Sequence, residues 1–301
     1  MLSKTATNQK WALASYELQD AYTDFILSRQ AILCSPATLK FYQSTAGKFI
    51  SYLAENGVLE PGLTSARHVR AYLSLLTERK LSDSYINGHA RAIRTLLRFW
   101  YVEKYIKELI SFQMPQIKQK RLLVYSALEI KKIISHCTNK RDKALIYLLT
   151  DTGLRRAELC ALNWENVDIS SGLVRVIEGK GGKARSVVMG IKTRRALLSY
   201  RREITHNDSE PVIQTIYGTR LSHGGLRSAL LRLSQRANIH VTPHALRRTF
   251  ATLSLRAGMN LLQLQAILGH SSLDMTRQYV HLIDDDLVEA HKAHGPIDNL
   301  L

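Results

Sequence analysis

Residues 173–189 read Leu173-Val174-Arg175-Val176-Ile177-Glu178-Gly179-Lys180-Gly181-Gly182-Lys183-Ala184-Arg185-Ser186-Val187-Val188-Met189. Runs rich in valine flank a segment of glycines, which are free to take the positive φ that tight turns need. Strand, glycine turn, strand predicts an antiparallel β-hairpin, with a third strand expected beside it near Val167 to Ile169. Elsewhere apolar residues recur every three and four positions, the helical period. The expected fold is therefore mainly α: a helical N-terminal domain and a mostly α C-terminal domain that carries one small antiparallel β-sheet.

Upstream of the hairpin, Ser35 caps and Pro36 opens a helix whose Leu39, Tyr42, Ala46, Phe49, Ile50 and Leu53 share a face; Gly57 stops it. Thr64 or Ser65 starts another, with Val69, Tyr72, Leu73 and Leu76 inward, and a third from Ser82 to Ser84 aligns Ile86, Ala90, Ile93, Leu97 and Trp100. A helix from about Leu18 to Ala31 completes a helical domain over 16–110, after an N-terminal tail at 1–15. Residues 111–125 hold a proline and the cations Lys118, Lys120 and Arg121 without a clear period, and predict a linker. The capping box Ser126-Ala127-Leu128-Glu129 opens the second domain, 126–283, and an acidic helix or tail fills 284–301. In that domain one helix runs from about Arg141 to Gly153 and a short one follows to Leu162. After the hairpin, helices are expected at about 191–205, 225–237, 243–256, 261–268, 273–280 and 285–294.

The chain has 301 residues, 45% of them hydrophobic, which excludes a disordered or collagen-like protein. Its 42 Lys and Arg against 25 Asp and Glu leave a formal charge of +17, so a polyanion is the natural partner. The excess is uneven: residues 1–110 are net +5, residues 111–283 net +16 and the last eighteen residues net −4. Membrane-surface and ribosomal proteins can be as basic, so charge alone favours nucleic acid without deciding for it. Cys34, Cys137 and Cys160 form no CxxC pair and read as reduced core residues. The polar N-terminus and the lack of a long apolar run lead us to expect a protein that is soluble and not exported.

Four places combine unusual residues with structural punctuation. In Thr152-Gly153-Leu154-Arg155-Arg156-Ala157-Glu158-Leu159, Gly153 can close a helix and leave Arg155 projecting, with Glu158 one turn on to orient it or to complement the helix start. In Thr242-Pro243-His244-Ala245-Leu246-Arg247-Arg248, His244 and Arg247 share one face near a helix N-terminus, where anions are favoured. His240 and His244 have metal-pair spacing, but Pro243 puts His240 before the helix and no third ligand is placed nearby. The third place is His270, immediately after the helix-ending Gly269; the fourth is Tyr279, nine residues further on. Taken singly, each of these residues has an ordinary explanation as a surface or packing group, and so has Lys180 as a turn lysine.

In combination, TGLRRAEL, the GKGGK hairpin, HALRRTF, LGHSS and the tyrosine nine residues after the LGH histidine resemble the tyrosine recombinase family, also called phage integrases. The match covers about Ser126 to His281, and the helical first domain is similar to the family's core-binding domain. The resemblance implies site-specific DNA strand exchange in which Tyr279 attacks a backbone phosphate to give a 3′-phosphotyrosyl link and a free 5′-hydroxyl. It implies that Arg155 and Arg247 hold the non-bridging oxygens, that His270 adds a hydrogen bond, and that His244 takes or relays the phenol proton. Lys180 matches the family's general-acid lysine, with Lys183 as the competitor, and Glu158 supports Arg155. No cofactor, metal or ATP is expected, because the arginines supply the cations and the phosphotyrosine conserves the bond energy.

The expected partners are double-stranded DNA recombination sites and further copies of the chain, four protomers on two sites by family analogy, with no membrane and with accessory proteins unspecified. The resemblance places the protein in the cytoplasm of a bacterial or archaeal cell, at the nucleoid. With only about fifteen residues before the first helix, the arm-type domain of some phage integrases is expected to be absent, which leaves a two-domain recombinase of the Xer or simple mobile-element type. The C-terminal segment resembles one that docks onto the next protomer, with packing in its own subunit as the other option. Met275 departs from the family's usual small hydroxyl residue. Other readings that stay open are a type IB topoisomerase or telomere resolvase, an inert DNA-binding regulator, and a metal-dependent DDE transposase. Integration, excision, transposition and dimer resolution are not distinguished, nor is the target sequence.

Overall fold

The computed structural model describes residues 17–117, 122–177, 184–204, 207–270, 272–277 and 279. The chain divides into two compact units, residues 1–120 and 121–301. The first contains α1 (Leu18–Ala31), α2 (Pro36–Glu55), α3 (Ala66–Glu78) and α4 (Asp83–Val102). The punctuation read from sequence is in place: Ser35 and Ser82 accept hydrogen bonds from the backbone N–H of Thr38 and Tyr85, and Pro36 takes the first helical position. Phe25, Phe49, Leu53, Ile93, Leu97 and Trp100 are completely buried, and the Trp100 indole N–H donates to the Ala21 carbonyl at 3.2 Å. Phe112 and Met114 of the expected linker, with Ile110 just before it, lie against this core. They alternate with the exposed Ser111 and Gln113, a period of two too short to stand out in sequence.

The second unit contains α5 (Ala127–Ser135), α6 (Lys140–Thr152), α7 (Arg156–Ala161), strands β1 (Leu173–Val176) and β2 (Arg185–Val188), and then α8 (Ile191–Arg201), α9 (His223–Ala237), α10 (Pro243–Arg256), α11 (Leu261–Leu268) and α12 (Asp274–Arg277). The fold is thus mainly α with one small antiparallel sheet. The strands pair in the register Leu173–Val188, Val174–Val187, Arg175–Ser186 and Val176–Arg185, which turns Val174, Val176 and Val187 into the core. Ser126 and Glu129 form the reciprocal capping box that opens α5.

Two expectations are corrected. The third strand reduces to a single bridge between Val167 and Val174, because the Asp168 carboxylate accepts hydrogen bonds from the backbone N–H of Ser170 and Ser171 and turns the chain away. Cys34 lies in the loop between α1 and α2 and not in the core, whereas Cys160 is buried; all three cysteines are free. The N-terminal tail, the hairpin tip with Lys180 and Lys183, and the acidic C-terminal helix lie outside the described residues. No helix among the described residues is long and apolar enough to cross a membrane.

Candidate active site

The site is built around the C-terminal end of α11. Gly269 takes φ +63° there and ends the helix, leaving the last carbonyls of α11 without partners of their own. Three guanidinium groups supply the missing donors. Arg185 Nε donates to the Ile267 carbonyl at 2.7 Å, Arg247 Nη2 to Leu268 at 2.7 Å, and Arg155 Nη2 to Gly269 at 2.8 Å. The negative end of the helix dipole favours cations here.

Each arginine is delivered by a different local device. Gly153, at φ +61°, terminates α6 and reverses the chain, so Arg155 becomes the N-cap residue of α7. The Gly153 carbonyl accepts a hydrogen bond from Arg247 Nη1. Thr242 accepts from the Ala245 backbone N–H and Pro243 opens α10, which carries Arg247 inward until the residue is 5% exposed. Burial first, then the positive charge of Arg155, pulls the Arg247 pKa down to about 10, so it stays protonated at neutral pH. Arg185 is the first residue of β2, on the core-facing side of the strand.

Glu158 holds two of these cations together. Its Oε1 accepts from Arg155 Nη1 and from Arg185 Nη1, each at 2.8 Å, and its Oε2 accepts from Arg185 Nη2 and from the Arg155 backbone N–H, each at 2.7 Å. Burial alone would raise this carboxyl; the hydrogen bonds from Arg185 and Arg155 outweigh it and hold the pKa at about 2. Glu158 therefore both orients Arg155 and completes the start of α7, the two uses read from its spacing.

His270 follows the Gly269 cap. Its Nε2 lies 3.1 Å from Arg247 Nη2 and its Nδ1 lies 2.8 Å from Thr276 Oγ1. Burial, then the charges of Arg247, Arg155 and Arg185, pushes its pKa down to about 4. Tyr279 is 4% exposed and packs with Ala251, Leu264 and Leu268; its ring lies nearly parallel to that of His270, with centroids 6.1 Å apart. It is reached through α12, shorter than the helix expected over 273–280, and the Tyr279 backbone N–H donates to the Thr276 carbonyl at 3.0 Å. His244 stands on the exposed first turn of α10, its pKa lowered by partial desolvation and then by Arg248, Arg156 and Arg247.

The structure therefore gathers Arg155, Glu158, Arg247, His270 and Tyr279 from four separated stretches of one chain, whereas His244 stands on the exposed first turn of α10 and is not among the groups that pack or hydrogen-bond together there. Sequence reading missed Arg185 and Thr276. An arginine on the inward side of a strand was a usable signal for Arg185; nothing in the sequence separates Thr276 from other threonines. Chemically, this is a fixed set of cations beside a phenol, suited to an anion that carries charge on several oxygens.

Such a site, cations gathered beside a tyrosine, fits a protein that binds and acts on a polyanion. Residues 124–285 match the phage integrase family, and the chain belongs to that family, the DNA breaking and rejoining tyrosine recombinases. Among curated relatives, tyrosine recombinase XerD of Shewanella oneidensis is 31% identical over 296 residues, covering 93% of this chain and 96% of its own. Tyrosine recombinase XerA of Saccharolobus solfataricus is 28% identical over 278 residues, covering 90% and 91%. A crystal structure of XerA recombinase aligns over 92% of this chain and 99% of its own at 26% identity, with a TM-score of 0.53. The Tn1549 transposon integrase in complex with a circular intermediate DNA shares the fold at a TM-score of 0.75 and 19% identity, over 88% of this chain and 95% of its own.

Proposed function

We propose that this chain is a site-specific recombinase that cuts and rejoins double-stranded DNA through a covalent 3′-phosphotyrosyl intermediate, without metal or ATP. The observation that carries the reading is the convergence of Arg155, Arg247 and His270 at the end of α11, with the Tyr279 ring packed beside His270. When a backbone phosphate enters, Arg155 and Arg247 exchange their carbonyl acceptors for its non-bridging oxygens and stabilise the charge that develops there. Tyr279 attacks phosphorus, its phenol proton passes to His244 or to water, and the 5′-oxygen leaves with a proton from Lys180. Attack by the freed 5′-hydroxyl of another strand reverses the chemistry, and the energy of the broken bond is kept throughout. Glu158 touches no reacting atom; it holds Arg155.

The partners we propose are DNA recombination sites and further copies of this chain, four of them in the synapse. Solved relatives with this fold include a lambda integrase tetramer bound to a Holliday junction. The test uses a nicked duplex carrying the recombination site, in chelator and without nucleotide. The wild-type chain accumulates a protein–DNA adduct resistant to denaturant, and Tyr279→Phe abolishes it while binding the same duplex with unchanged affinity. An adduct that survives the substitution, or that needs a divalent metal, overturns the proposal.

A further inference from the structure

We propose that Thr276 is a positioning residue that sets which ring nitrogen of His270 carries the proton, and that its hydroxyl lets that proton change sides when a phosphate enters the site. The inference deepens the reading above and rests on it for its catalytic consequence, but not for its structural half.

A guanidinium can only donate hydrogen bonds. Arg247 Nη2 is 3.1 Å from His270 Nε2, so that nitrogen must present its lone pair, and the single proton of the neutral ring sits on Nδ1. The Nδ1–H then donates to Thr276 Oγ1 at 2.8 Å. The low basicity of the ring, with three guanidiniums nearby, fits this neutral form.

A phosphate reverses the demand. Its oxygens only accept, so a ring that is to hold one must offer N–H from Nε2, the nitrogen facing Arg247. Once Arg247 turns its Nη2 toward a phosphate oxygen, Nε2 is released from its donor. One proton is taken up at Nε2 from water and one is given up from Nδ1 to water, so the ring stays neutral. Nδ1 now requires a donor, and a hydroxyl supplies it by rotating its O–H, with no heavy atom moving. A backbone carbonyl at this place, which can only accept, would hold the proton of the neutral ring on Nδ1 and leave its Nε2 without one to donate.

Thr276 is well held for the task. It is fully buried, its backbone N–H donates to the Leu273 carbonyl at 2.8 Å, and its own carbonyl accepts from the Tyr279 backbone N–H at 3.0 Å. The residue that sets the histidine proton thus also anchors the turn that carries the tyrosine.

The experiment pairs nitrogen-15 spectroscopy of histidine-labelled full-length chain with adduct formation on the nicked duplex. In the free wild type the His270 spectrum is expected to show Nδ1 protonated and Nε2 bare; a protonated Nε2 overturns the proposal. Thr276→Val is expected to lower the single-turnover adduct rate at saturating DNA about 10- to 100-fold at unchanged Kd, the usual effect of removing a partner that orients a site histidine. Thr276→Ser, which keeps the hydroxyl, stays within about threefold and keeps the free-state protonation pattern. A Thr276→Val rate equal to wild type, or a Thr276→Ser rate as low as that of the valine variant, overturns it. Tyr279→Phe separates the two levels: an adduct without Tyr279 removes the catalytic reading, whereas the free-state spectrum decides the histidine proton independently.

Discussion

Arginines that share one helix terminus repel one another, and Glu158 is the anion that makes their approach tolerable. Its carboxylate is nearly fully buried, and four donors meet its two oxygens. Glu158→Gln keeps the shape but leaves two guanidiniums uncompensated, so it is expected to lower stability by about 3–5 kcal/mol in denaturant titrations at neutral pH. The carboxyl sits at about 2 in the folded chain against an ordinary 4.5, so the unfolded chain takes up the proton first as pH falls. The stabilisation from ionised Glu158 is therefore complete above about pH 4.5 and is lost as pH falls toward about 2. The gap between wild type and Glu158→Gln should shrink through that window, by about 3 kcal/mol for the full shift; a constant gap would show that the carboxylate is not the titrating group. At this scale the sequence was generous wherever a residue carries its own geometry. Arg155 follows a glycine cap and Arg247 a proline-started helix. Arg185 acts through partners 27 and 82 positions away and Thr276 through one six away, and spacing alone does not reveal such pairings.

Helix ends do the assembling. Gly153 and Gly269 both take left-handed φ, and each offers a carbonyl to an arginine of the site. At Gly153 a Cβ would stand 2.5 Å from Phe250 Cδ1 and 2.9 Å from Leu268 Cδ2, in addition to the strain of a side chain at φ +61°. Gly153→Ala is thus expected to cost about 2–4 kcal/mol, the sum of left-handed strain and overpacking, and to reduce adduct yield more than stability alone explains, since Arg155 and the Arg247 acceptor both move. Denaturant titration and the nicked-duplex assay run on the same preparation check this; a variant as stable as wild type would remove the role given to the cap. Elements with their own punctuation were legible: Ser126 with Glu129, Pro36 and Pro243 each sit where the chain begins a helix. What failed was decided by neighbours. Val167 to Ile169 had strand composition, but the Asp168 turn satisfied backbone donors locally and left one bridge of the third strand.

Across the whole chain the charge is +17, concentrated at +16 over residues 111–283, and this sets how tightly DNA is held before any base is read. Lysines and arginines that neutralise phosphates release condensed counterions, so the logarithm of the binding constant falls linearly with the logarithm of salt concentration, with a slope of about −0.9 per phosphate neutralised. A surface this basic should give a steep slope, whereas a chain that binds DNA through a few neutral contacts would give one near zero. The active-site arginines contribute little to it. Arg155 and Arg247 converge at one helix end, where a single phosphate can take both, so replacing either should change the slope by no more than about one. Fluorescence anisotropy titrations over a range of salt concentrations are expected to show wild type and Tyr279→Phe on superimposable steep lines, with Arg155→Ala parallel to them within that limit. A collapse of the slope in Arg155→Ala would mean that the site, and not the broad basic surface, carries the affinity. The separation of binding from chemistry on which the tyrosine substitution test relies would then be lost.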